Sequence, residues 1–199
     1  MRLAKRKKPG DMTENKTLLS AAIFCFASFA WGMLWHFRRL GKPSRTMLIT
    51  ALLALASAVL QLFGLSCRPL RYPFIALTLY AAGVALFWWA AGVTRRKLAA
   101  CGQGCVSAEV ITGGPYRLIR HPFYAAYILI WIAGFAATLW WPLACAAVAM
   151  AVRYDRAARE EELGFAASPL GAAYSAYQQR TGMYWPRLGN GRRSARGAT

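Results

Sequence analysis

The chain has 199 residues, a length that suits one compact domain or one membrane bundle. Hydrophobic residues make up 57% and charged residues only 16%, against about 25% charged in a typical soluble domain. The composition therefore argues against a surface that faces water throughout. The formal net charge is +18, but the positive residues do not form the patch expected of a nucleic-acid binder. They sit between long apolar runs, at 5–8, 38–45, 95–97 and 187–196, where loops meet an anionic lipid surface. Membrane lipids rather than nucleic acid are the expected partners.

Residues 1–16 are basic and polar and read as an N-terminal arm. Three apolar runs follow, Thr17 to Trp35, Thr46 to Cys67 and Pro73 to Val93, each bounded by Arg, Lys or His. Each is close to the roughly 20 residues that cross the hydrocarbon core as a helix. A helix is the economical span because it satisfies its own backbone hydrogen bonds. The first run is too long for the apolar core of a signal peptide, and no small-residue cleavage pattern ends it.

A polar stretch from Arg95 to His121 separates these runs from Pro122 to Leu139, also apolar. Trp140-Trp141-Pro142 forms a short break, and Leu143 to Val152 is too short to span unaided unless Arg153 snorkels. Residues 122–152 thus predict a tight helical hairpin whose second helix continues as 153–163. The expected fold is all-α: a polytopic bundle of about five transmembrane helices with a C-terminal cytosolic helical region. Its organisation is an arm over 1–16, three spans over 17–93, a catalytic region over 94–188 and a disordered basic tail over 189–199. With five spans, most of the 25 Lys and Arg lie on the side of the C-terminal half, which the positive-inside rule places in the cytoplasm. A four-span arrangement with a re-entrant 122–152 would put both ends on one side.

Five cysteines, an odd number with scattered placement, argue against a disulfide framework. Cys25, Cys67 and Cys145 belong to apolar runs. Cys101 and Cys105 share the CGQGC loop, where packing is the plain reading and a redox pair or half a metal site the alternative. His36 and His121 are the only histidines, so no metal is expected.

Polar residues are scarce, so their clustering is informative. Four of the seven acids, Asp155, Glu160, Glu161 and Glu162, lie between 155 and 162. Pro122 suits the first position of a helix and biases His121 out of helical geometry. His121 then sits at the positive end of the fourth helix, with Tyr124 one turn later and Arg117 and Arg120 beside it. Such a corner can bind an anion such as a carboxylate, or can merely anchor the helix among headgroups. Arg156 and Glu160 stand at i,i+4 and predict an ordinary exposed pair. A functional alternative has one glutamate accepting ribose hydroxyls or pairing with an ammonium group.

The run Gly114-Pro115-Tyr116-Arg117-Leu118-Ile119-Arg120-His121-Pro122-Phe123-Tyr124 resembles the G-P-Y-x-x-x-R-H-P-x-Y signature of the isoprenylcysteine carboxyl methyltransferase and phospholipid methyltransferase superfamily. An apolar hairpin follows, then Glu161-Glu162, Gly171-x-x-Tyr174-x-x-Tyr177, Arg180-Thr181 and Pro186, in the family's order. The resemblance covers roughly 108–186 and is to the bacterial-type membrane enzymes. It implies a methyltransferase of the bacterial inner membrane that uses S-adenosylmethionine, releases S-adenosylhomocysteine and has its site at the cytoplasmic face. It implies cofactor contacts from Glu109, Val110, Ile111, Tyr116, Arg120, His121, Pro122 and Tyr124, and from one of Glu160, Glu161 and Glu162, with Glu162 best spaced to Gly171. Arg153 or Arg156 would match the family's substrate-orienting arginine. Ala108 stands where prenylcysteine enzymes often have His, which points away from a prenylated protein and toward another lipophilic acceptor, a lipid-like carboxylate foremost.

Two rivals frame this expectation. Membrane sterol reductases, which use NADPH, resemble the same R-H-P-x-Y pattern but usually carry Asn where this chain has Phe123. A non-enzymatic membrane scaffold would need none of the polar residues for its role.

Overall fold

The computed structural model describes residues 9–37, 45–101 and 110–187. Among these the chain is helical: α1 (Pro9–Phe37), α2 (Arg45–Cys67), α3 (Pro73–Cys101), a 3-10 turn (Gly114–Arg117), α4 (Pro122–Thr138), α5 (Trp141–Ala166) and α6 (Gly171–Arg180). The expected all-α class is what forms. Helix α1 starts at Pro9, inside the segment read as an arm, and α3 runs two turns past Val93. Polar residues beyond an apolar run keep the helical hydrogen bonds going, so hydropathy marks the apolar window and not the helix end.

Among the described residues, three helices are long and apolar enough to cross a membrane, over Thr13–Leu34, Arg45–Cys67 and Pro73–Arg96. Helix α4, with 17 residues, would reach about 26 Å at 1.5 Å per residue, a little less than the hydrocarbon core. The apolar half of α5 is shorter still. The exposed surface carries Phe24, Leu34, Leu52, Leu55, Phe63 and Phe74, an apolar covering that water would penalise and lipid would not.

Helix α3 lies against both α1 and α4. Small residues let the backbones approach: Ala126, Ala133 and Ala137 recur along the buried face of α4, with Ile130 between them. Phe29 of α1 stacks on Phe87 of α3 at 4.5 Å, and Tyr127 meets Phe29 edge-on at 5.2 Å. One buried polar side chain crosses this core. Gln61 of α2 donates to the Tyr80 hydroxyl at 2.7 Å and to the Ile130 carbonyl at 3.2 Å, as a buried amide must where no water can serve it.

The helices form two distinguishable ends. Asn15 near the start of α1 donates to Leu65 O at 2.8 Å, and the Arg71 N–H donates to Ala137 O at 2.7 Å. The start of α1, the end of α2, the start of α3 and the end of α4 therefore share one end. At the other, Arg153 of α5 donates to Thr46 O at the start of α2, and Thr94 near the end of α3 meets the Tyr116 hydroxyl at 3.0 Å. The α4–α5 hairpin closes through Leu139, whose φ of +50° is left-handed, an unfavourable conformation for a bulky residue.

Candidate functional site

The polar motifs meet at the end marked by Arg153 and Tyr116. Gly114 enters this corner with φ +59°, and a Cβ there would overlap Val93 of α3, so glycine is required on both counts. The 3-10 turn leads to His121, which caps α4 with Pro122 in its first turn. This is the placement that the R-H-P order predicts.

Helix α5 runs without interruption from the hairpin into the acidic segment. Beyond it, Ser168 shapes the turn into α6, with its hydroxyl donating to Phe165 O at 2.7 Å and accepting the Leu170 N–H at 3.2 Å. A Cβ on Gly171 would lie 2.6 Å from Ala166 O, so the chain can double back only with glycine there. The folded-back α6 lays Tyr174 and Gln178, one turn apart, against Glu162.

Glu162 is the centre of the cluster. Its Oε1 accepts Arg120 Nε at 2.8 Å, His121 Nε2 at 3.0 Å and the Tyr174 hydroxyl at 3.3 Å, while its Oε2 accepts Gln178 Nε2 at 2.9 Å. The sequence reading expects this corner to bind a carboxylate, and the carboxylate that fills it is the protein's own. Burial works against the charge of Glu162, but the hydrogen bonds of Arg120 and His121 outweigh it and hold the carboxyl below its ordinary 4.5. Three donors on Oε1 and one on Oε2 make Glu162 the group that orients the loop before α4 against α6.

Arg120 is likewise consumed by the fold. Besides Glu162 it donates to Gln178 O at 3.3 Å and to Thr181 O, two carbonyls at the end of α6. Its backbone N–H donates to Gly182 O at 2.8 Å, and that of His121 to Met183 O at 3.2 Å. The loop before α4 and the chain after α6 are thereby zipped together. The Tyr177 hydroxyl adds a bond to Tyr116 O at 2.6 Å. Burial pushes the hydroxyls of Tyr116, Tyr174 and Tyr177 above their ordinary range, so all remain neutral donors.

Comparison of the chain with protein families, curated proteins and solved structures gives no match. The site is therefore read from its own geometry.

Glu161 differs from its neighbour. Its side chain is 52% exposed, its carboxylate accepts the Tyr124 hydroxyl, and its Oε2 lies 3.8 Å from His121 Nδ1. An ionised carboxylate only accepts, so the hydrogen shared by His121 and Glu162 sits on Nε2. Nδ1 faces the Glu161 carboxylate across 3.8 Å, beyond direct hydrogen-bond reach. Glu160 and Arg156 are exposed. The ion pair on this stretch joins Arg159 to Asp155 at 2.7 Å, and the expected Arg156–Glu160 pair does not form among the described residues. An acid N-terminal to its base is the favoured order on a helix, and only Asp155–Arg159 has it.

Arg153 is held at the Thr46 carbonyl at 3.2 Å, whereas Arg156 is unpaired among the described side chains. Val110 and Ile111 form half-buried coil before the 3-10 turn. Cys101 ends α3, while Glu109 and the rest of the CGQGC loop lie outside the described residues. Among those described, no group of three metal-ligating side chains occurs.

Aromatic rings wall the site on the bundle side. His121 and Tyr124 stack at 5.7 Å, and Tyr124 stacks in turn on Tyr154 of α5 at 5.6 Å. Sequence reasoning did not single out Tyr154, Gln178 or Tyr184. Gln178 follows Tyr174 at i,i+4 on the same face of α6, a usable signal. Tyr184 had none. It lies 6.2 Å from the His121 ring, and its buried hydroxyl oxygen has no hydrogen-bond partner among the described residues. Burial first, and the nearby Asp155 next, hold that hydroxyl protonated.

Proposed function

We propose that this chain is an integral membrane methyltransferase that uses S-adenosylmethionine on a lipophilic, lipid-like acceptor, with a carboxylate favoured as the nucleophile. One observation carries the reading: the R-H-P-F-Y corner and the acidic helix, 41 residues apart, converge with His121 Nε2 3.0 Å from Glu162 Oε1. Apolar helices of spanning length supply the setting for a lipophilic acceptor. In this reading α4 and α5 complete five spans, the excess of Lys and Arg on the site's side favours the cytoplasmic face, and the resemblance to bacterial-type enzymes suggests an inner membrane.

The residues present suit a cationic, hydroxyl-rich nucleoside. Glu161, half exposed and fixed by Tyr124, is the carboxylate free to meet an ammonium or a ribose hydroxyl. His121 offers Nδ1 beside it, and Tyr184 holds an unpartnered hydroxyl. When bound, S-adenosylmethionine supplies a methyl group already activated on a sulfonium. The protein's share is alignment and exclusion of water. Glu162 fixes the imidazole and Arg120, and through them the position of the loop relative to α6. Arg156, exposed and unpaired, can hold a carboxylate acceptor by its guanidinium fork.

Calorimetry on the purified full chain in detergent tests this. S-adenosylmethionine and S-adenosylhomocysteine should bind and NADPH should not. Glu161→Gln should weaken binding about tenfold, the loss of one charge-assisted contact worth about 1.4 kcal/mol. Heat from NADPH alone would favour the reductase, and no heat from any of them would leave the scaffold.

A further inference from the structure

We propose that the opposite end of the bundle holds a binding site for the phosphate headgroup of an anionic phospholipid. The α2–α3 turn and the α4–α5 turn meet there around a cleft of about 390 Å³, lined by Arg68, Arg71, Tyr72, Thr138, Leu139 and Trp140. The Arg71 N–H donates to Ala137 O at 2.7 Å, which ties the two turns together. The Arg68 guanidinium carbon lies 4.7 Å from the centre of the Trp140 ring, so its plane is steadied without being neutralised. Among the described residues, neither Arg68 nor Arg71 pairs with a carboxylate.

Two helices also begin at this cleft, α3 just after Tyr72 and α5 just after Trp140. Pro142 has no N–H and the Leu143 N–H donates to Trp140 O at 2.9 Å, so α5 contributes the positive end of its helix dipole rather than open amides. Two unneutralised arginines, reinforced by two positive helix ends, select an anion. A phosphodiester has a single negative charge over two bare oxygens, the shape a guanidinium fork matches.

The surroundings identify the source of that anion as a lipid. Phe63, Phe74, Ile75 and Trp141 are exposed beside the cleft, and acyl chains can lie along them while the phosphate reaches the arginines. Tyr72, Trp140 and Trp141 are the amphipathic rings that favour headgroup depth. A zwitterionic choline headgroup would bring its cation toward two arginines that pair with no carboxylate among the described residues. This inference rests on the membrane-spanning reading and not on methyl transfer.

Thermal unfolding of the purified full chain in detergent, with added lipid, tests it. Phosphatidylglycerol should raise Tm by several degrees more than phosphatidylcholine does. Arg68→Gln with Arg71→Gln should abolish that difference. Arg192→Gln with Arg193→Gln, which removes the same charge from the C-terminal tail, should preserve it. Should the double variant not fold, Arg71→Gln alone changes one exposed side chain and should weaken the phosphatidylglycerol effect several-fold. Equal shifts from the two lipids, an unchanged preference in the Arg71 variant, or the same shift from inorganic phosphate would overturn the proposal. S-adenosylmethionine calorimetry is independent of each of these outcomes, so either proposal can fail alone.

Discussion

At one end of the bundle, Arg120 and His121 share the Glu162 carboxylate at 2.8 and 3.0 Å. At the other, Arg68 lies over Trp140 and Arg71 has no acidic partner among the described residues. Both ends gather cations beside helix starts, but only the first answers them from within the chain. The contrast separates architecture from receptivity. A charge cluster whose donors and acceptors are matched holds elements together, and one left unmatched awaits a ligand. The same distinction operates between adjacent residues: Glu162 is matched by four donors, while Glu161 has one and faces outward.

The largest way to break the contrast is Glu162→Ala. It strands Arg120 and His121 in a partly buried setting and should cost about 2–3 kcal/mol, the value for breaking a buried pair reduced for partial exposure. Chemical unfolding in detergent would show it, and S-adenosylmethionine binding should fall with it.

Lowering pH is the gentler form of that experiment. The folded-state pKa of Glu162 is depressed, so its contribution is complete above the ordinary value of 4.5 and declines as pH falls through the lower folded value. Tm should drop in acid below 4.5 more steeply in the wild type than in Glu162→Gln. Equal slopes would show that the cluster is not what senses acid.

The opposite end should respond weakly. Arg68→Ala removes an exposed cation–π contact and should cost about 0.5–1 kcal/mol in the absence of anionic lipid. Smallest is Leu139→Gly, which relieves the left-handed φ of +50° at the expense of unfolded-state entropy. A change of no more than about 1 kcal/mol in favour of the folded state is expected from denaturant midpoints.

Much of the scaffold was legible in the sequence, since hydropathy acts on each run by itself. The three long helices and the continuation of α5 past Arg153 appear where the runs put them, while the hairpin break falls at Leu139 and Trp140, ahead of the expected Trp140–Pro142, because Pro142 fits the first turn of α5. His121 caps α4 because Pro122 dictates it. The pairing within α5 was misjudged because spacing alone ignores order, and Asp155–Arg159 forms where Arg156–Glu160 does not. Arg120 gave no sign that its guanidinium would be spent on carbonyls at the end of α6, since those contacts span 58 and 61 residues.

What the sequence by itself determined is the set of local preferences: apolar windows of spanning length, proline starts, the glycine turn at 171 and the concentration of acids before it. Which glutamate turns inward, which arginine is neutralised, and that Tyr184 keeps an unpartnered hydroxyl beside His121 were decided only when α6 folded back onto α5 and the loop before α4. Local preferences act over a turn or two of chain. Ion pairing and burial depend on distances in space, and those exist only once the helices have packed.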